Sequence, residues 1–182
     1  MPENRSGAGI FRQLTQRAGF ILIMLATIAG CAHGKMRNGD YYAEKDSYRI
    51  TTPGEPWKRV SIKGVDLVLA YEDHGASILT STLCGRYTQA GLDILSRNLF
   101  IGIGKRSIIE EESVELPAGK AERMRIDARL DGADLSAEAY TLRRNPCVYD
   151  FVYMSIPDHF DEHLPAFRRM MDSLRFGTGG GQ

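Results

Sequence analysis

The sequence predicts an α+β domain, in which about seven hairpin-linked antiparallel strands are covered by two main helices. Three observations carry this prediction. Between residues 48 and 154 apolar side chains recur mostly with period two, in short runs separated by Gly, Pro, Asn and Asp. Two segments, around Leu92–Leu99 and Phe160–Leu174, instead carry apolar residues at helical spacing. One run, Val148–Met154, is apolar on both faces, which marks a central, doubly covered strand.

The elements follow in order. Tyr48-Arg49-Ile50 opens a first strand, stopped by Pro53 and Pro56. Val60 and Ile62 alternate with Ser61 and Lys63 in a second. Val65, Leu67, Leu69 and Tyr71 alternate in a third, which turns at Asp73-His74-Gly75 into a strand with Ile78, Thr80, Thr82 and Cys84 on one face. Thr88 is a candidate cap for a helix whose stripe is Leu92, Leu95 and Leu99, ended by Gly102 and Gly104. Ile108 to Leu116 is strand-like and breaks at Pro117-Ala118-Gly119. Met124, Ile126 and Ala128 alternate with charged residues, which predicts a strand with one wet face. Asp131-Gly132 is a hairpin signal, and Leu135, Ala137 and Ala139 return beside it. Asn145-Pro146 turns the chain into Val148–Met154, where Asp150 needs a hydrogen-bond partner if buried. The closing stripe Phe160, Leu164, Phe167, Met171 and Leu174 is an amphipathic helix, and Pro165 belongs near its first turn.

The first 30 of the 182 residues read as an export signal. Arg5, Arg12 and Arg17 precede a 13-residue apolar run from Ala18 to Gly30, shorter than the roughly 20 residues a spanning helix needs. Ile28-Ala29-Gly30-Cys31 resembles a bacterial lipobox. That resemblance implies cleavage before Cys31 and acylation of its sulfur and of the new amino terminus. Two or three acyl chains, at about 0.8 kcal/mol per buried methylene, anchor a protein firmly. An ordinary secretory signal with an incidental cysteine, or an uncleaved anchor, are the alternatives. The resemblance further implies the outer membrane, because Ala32 follows the cysteine where an aspartate would imply inner-membrane retention. Residues 31–46 read as a flexible tether, 47–176 as the folded domain and 177–182 as a disordered tail.

Beyond residue 30 the chain carries 20 basic and 22 acidic residues, a net −2 that offers no general attraction to nucleic acid. Cys84 and Cys147 remain as an even pair in an exported domain, which predicts a disulfide closing a 63-residue loop. Two buried free thiols are the alternative.

The element order resembles the PsbP-like fold, an α/β/α sandwich. The resemblance rests on Tyr48-Arg49-Ile50-Thr51-Thr52-Pro53-Gly54-Glu55-Pro56-Trp57 as opening strand, proline turn and tryptophan, on the helix set between hairpins, and on the ending Phe167 to Phe176. More narrowly, Cys147-Val148-Tyr149-Asp150-Phe151-Val152-Tyr153 with Cys84 resembles a group of small lipoproteins from deltaproteobacteria. These are packing motifs, so they imply a fold and an accessory or binding role, with no catalytic residues to carry over.

The polar clusters point the same way. His159 and His163 stand four apart among Asp158, Asp161 and Glu162, a spacing that on a helix puts both rings on one face for a metal. Because the run sits where a helix begins, and Pro165 argues against continuous helix through His159, it reads as a solvated helix start whose acids answer the macrodipole. Gly102-Ile103-Gly104-Lys105-Arg106-Ser107 lacks the spacing and the preceding strand of a phosphate loop. Glu110-Glu111-Glu112 reads as edge protection and Trp57 as core. The expectation is therefore a non-enzymatic, lipid-anchored envelope protein, facing the periplasm, with a membrane and a protein as partners and without metal or cofactor. A carrier of a small apolar ligand, with a pocket lined by Leu92, Leu95, Met124 and Phe167, is the alternative.

Overall fold

The computed structural model describes residues 34–44, 47–85, 89–144 and 146–177. Its strands are β1 (Lys35–Arg37), β2 (Asp40–Tyr42), β3 (Tyr48–Thr51), β4 (Lys58–Val60), β5 (Leu67–Tyr71), β6 (Ala76–Cys84), β7 (Arg106–Leu116), β8 (Gly119–Leu130), β9 (Ala133–Arg144), β10 (Cys147–Ser155) and β11 (Arg175–Phe176). The helices are α1 (Leu92–Leu99) and α2 (Pro157–Ser173). Strands β4 to β10 make one antiparallel sheet in the order β4-β5-β6-β10-β9-β8-β7, and a smaller sheet runs β1-β2-β3-β11.

The period-two pattern sorts side chains to the two faces of the large sheet. On one face Leu69, Ile78, Leu142, Phe151 and Tyr153 meet Phe160, Leu164, Phe167 and Met171 of α2, together with Tyr41, Tyr48 and Ile50 of the small sheet. On the other face Met124, Ile126, Ala137 and Ala139 pack with Phe100 and Leu99 at the end of α1. The result is an α/β/α sandwich with β10 at the centre of the sheet, as its two apolar faces predict. Asp150, on the α1 face of β10, accepts a 2.9 Å hydrogen bond from Thr141 Oγ1. Burial pushes its carboxyl up to about 6, against the stabilising bond from Thr141.

Polar contacts fasten the layers. Tyr41 Oη donates to the Asp66 carbonyl at 2.6 Å, Tyr48 Oη and Thr80 Oγ1 share a 2.7 Å bond, and Thr82 Oγ1 donates to Asp66 Oδ2 at 2.5 Å. These bonds tie the small sheet to β6 and to the residue just before β5. Glu138, fully buried on β9, accepts two bonds from Arg168 of α2, Nε to Oε1 at 2.9 Å and Nη2 to Oε2 at 2.6 Å. On β8, Arg125 lies over the Phe160 ring at 4.6 Å and reaches Asp161 at 3.3 Å. The face expected to be wet is thus partly roofed by α2.

Three expectations are corrected. Residues 35–42 are not tether: β1 pairs with β2, and β2 with β3, with Tyr41 buried against Tyr48. Three-residue strands are too short to show a period, which hid them. Second, α2 begins at Pro157 and runs through Pro165. Pro157 sits where the missing N–H costs nothing. Pro165 leaves the Asp161 carbonyl without its helical donor, but both residues are exposed, so solvent can satisfy it. Third, β4 stops at Val60 and β5 starts at Leu67, so Ile62 and Val65 are not in strands. The Asp131-Gly132 turn has φ of 51° and 87°, the left-handed pair of a two-residue hairpin. α1 is preceded by Gly91 without a side-chain cap, and Thr88, Asn145 and residues 178–182 lie outside the described residues.

Candidate functional site

Because β6 runs antiparallel to β10, the turn before β6 and the chain leaving β10 meet at one end of the sheet: Ser77 pairs with Met154. The turn is the 3-10 segment Glu72–His74, closed by Gly75 in the left-handed conformation. The segment leaving β10 becomes the first turns of α2. His74 is thereby set beside His159 and His163, which helical spacing puts on one face. All three histidines of the described residues converge at this corner.

The geometry is close. His74 Nδ1 and His163 Nε2 share a 2.7 Å hydrogen bond, one ring donating and the other accepting. Glu162 turns its carboxylate inward: Oε2 lies 3.0 Å from His159 Nδ1 and 3.5 Å from His74 Nδ1, and Oε1 lies 3.8 Å from His163 Nε2. Rings brace the cluster. His74 stacks between Tyr71 at 4.3 Å and His159 at 4.1 Å, and His163 lies edge-on to Trp57 at 5.9 Å. Ser155 Oγ donates to the His74 carbonyl at 3.4 Å. Exposure is graded, with the His163 side chain 12% accessible, His74 23% and Glu162 52%. Burial, with His74 and His159 nearby, holds the His163 imidazolium below its usual range despite Glu162. The bond to His159 holds the Glu162 carboxyl below its own. A neutral imidazole at His163 and an ionised carboxylate at Glu162 are ligating forms.

The helical spacing of His159 and His163 was legible in the sequence, but the bland reading of a solvated helix start misses His74, which is remote in the chain. The signal lay in topology: a turn next to β6 must abut whatever follows the strand paired to β6.

The other predicted residues fall elsewhere. Cys84 and Cys147 face each other across β6 and β10 with Cα atoms 4.0 Å apart and form a disulfide. Cys31 lies outside the described residues. Glu110 and Glu112 both pair with Arg123, whereas Glu111 points to the other face and accepts from Arg97, Nε reaching both oxygens at 2.8 and 3.1 Å and Nη2 reaching Oε2 at 2.7 Å. Gly104 belongs to a close backbone approach, since a Cβ there would sit 2.9 Å from the Arg129 carbonyl. Trp57 is buried in the core beside the histidine corner. Met124 and Phe167 lie on opposite faces of the sheet, so the four residues expected for a carrier pocket do not line one cavity. A depression of about 490 Å³ near β8 and β9 is open and lined by charged groups including Lys105, Arg106, Asp127 and Arg129. Among the described residues no helix is long and apolar enough to cross a membrane.

Comparison with solved structures decides the fold. The domain aligns with CyanoP, the cyanobacterial PsbP of Synechocystis sp. PCC 6803, at a TM-score of 0.59 over 82% of this chain and 99% of that one, with 14% identity. The chain has the PsbP-like fold. It also aligns with a protein from Bacteroides thetaiotaomicron at a TM-score of 0.57, 9% identity, over 81% of this chain and 51% of that one. LpqN of Mycobacterium tuberculosis, involved in cell envelope biogenesis, aligns at 0.53 with 11% identity, over 71% of this chain and 83% of its own. No protein-family model matches the chain, and no curated protein matches its sequence.

Proposed function

We propose that the chain is a non-catalytic accessory protein of the bacterial cell envelope, of the kind found as small lipoproteins in deltaproteobacteria. It is tethered through acylated Cys31 to a membrane, the outer membrane by the residue after the cysteine. Its PsbP-like domain faces the periplasm and holds a protein partner. The observation that carries this reading is the arrangement of the cysteines. Cys31 ends a lipobox-like run, while the other two are bonded at an exposed end of the sheet. Such a bond persists in an oxidising compartment. The packed cores on both sheet faces favour a scaffold over a carrier. LpqN has an envelope role on the same fold, so the fold suits that station, though fold alone does not assign a role.

The test combines fractionation with capture. Cells expressing the full chain or Cys31→Ser are fed labelled palmitate, and a photo-crosslinker replaces Ile94, which α1 holds exposed. The expected result is label and envelope sedimentation for the wild type only, with a crosslinked envelope protein lost in Cys31→Ser. Label in neither chain, with unchanged sedimentation of both, overturns the reading.

A further inference from the structure

The geometry points to a divalent transition-metal site at the histidine corner, with His74 Nδ1, His163 Nε2 and the Glu162 carboxylate as ligands for Zn2+. Ligands about 2.0–2.1 Å from tetrahedral zinc stand about 3.3 Å from one another. Here His74 Nδ1 and His163 Nε2 are 2.7 Å apart, Glu162 Oε2 lies 3.5 Å from His74 Nδ1 and Oε1 lies 3.8 Å from His163 Nε2, and one ligand atom from each residue falls within 4.8 Å of the others. Rotation of the half-exposed Glu162 side chain, carrying its ligating oxygen by up to about 1.5 Å, brings the three donors into a zinc sphere with no change in the path of the chain. Two imidazoles and one carboxylate are donors zinc accepts.

The surroundings match the ligands. Stacking on Tyr71 and His159 fixes the His74 ring, and Trp57 and Tyr71 wall His163. His159 hydrogen-bonds the Glu162 carboxylate, the outer support that ligating carboxylates use. His159 is thus a positioning residue. The ligands come from two elements, the β5–β6 turn and α2, so a bound ion would clip the helix start to the sheet. Glu162 is half-exposed, leaving the fourth position to solvent or to a donor from a partner. This inference stands whether or not Cys31 is acylated, because none of its residues belongs to the anchor.

The experiment titrates the purified mature chain with ZnCl2 in equilibrium dialysis, and with Co2+ as a spectroscopic stand-in. Fluorescence of Trp57, the chain's one tryptophan, is followed in parallel. The expected result is one Zn2+ per chain in the micromolar range or tighter, tetrahedral Co2+ visible bands that Zn2+ removes, and a Trp57 signal saturating at the same ratio. His74→Gln with His163→Gln should weaken binding at least about 100-fold, and His159→Gln about 10-fold. Glu162→Gln, on a half-exposed side chain that folding does not need, keeps the test decisive if the double variant unfolds. It should also weaken zinc by at least about 10-fold. Zinc binding absent from the wild type, or unchanged in Glu162→Gln and in the folded histidine variant, overturns the site.

Discussion

Arg168→Met is the most informative single perturbation of the fold. Glu138 has no solvent exposure, and Arg168 supplies both of its strong bonds at 2.9 and 2.6 Å. Removing one partner of a buried ion pair costs roughly 3–5 kcal/mol, because the remaining charge is left uncompensated. Two features lower the figure here. Arg168 is 40% exposed, so water can enter its place, and Arg123 lies close enough to offset part of the Glu138 charge. The expected loss is therefore about 2–3 kcal/mol, or a fall in Tm of roughly 4–12 °C for a domain of this size. Urea unfolding at pH 7 with an unchanged slope reads it. Replacing Glu138 and Arg168 together by Met should recover most of the loss, since an apolar pair of similar volume is close to neutral. A double variant as unstable as Arg168→Met, or an Arg168→Met chain within about 0.5 kcal/mol of wild type, refutes the reasoning.

Two further outcomes follow from the same physics. Cys84→Ser with Cys147→Ser should destabilise the chain by about 4 kcal/mol in the chain-entropy model, and dithiothreitol should lower the wild type but not the double variant. Equal urea midpoints for the oxidised wild type and the double variant would exclude a stabilising bridge. Asp150 carries a carboxyl raised from an ordinary 3.8 to about 6. Its protonated form is favoured in the fold, so its contribution is fully present below the unfolded value and is lost as pH rises through about 6. Asp150→Asn should accordingly gain about 2 kcal/mol on the wild type at pH 7.5 and well under 1 kcal/mol at pH 4, read by urea unfolding at both. A gain independent of pH contradicts the assignment.

Much of this fold was legible because long elements carry long patterns. β10 showed two apolar faces, Asp131-Gly132 announced its hairpin, and Phe160 to Leu174 drew the face of α2 in the sequence. What failed to show was short or remote. β1 and β2, three residues each, hold a place in the sheet through pairing and through Tyr41, which is buried only because Tyr48 and Asp66 meet it. Pro165 argued locally against a helix that tertiary packing of Phe160, Leu164 and Phe167 maintains. The histidine corner needed the β6–β10 pairing to bring residues 74 and 163 together. A lone histidine in a turn and an i, i+4 pair each look ordinary until strand order is known.

The measurement that bears most directly on the central claim is the mass of the amino-terminal peptide of the chain extracted from membranes of its native host. Acylation at Cys31 predicts a terminus beginning at that residue and carrying a thioether-linked diacylglycerol and an amide-linked acyl chain. A terminus that still includes Met1–Gly30, or an unmodified Cys31 in the membrane-extracted protein, contradicts it.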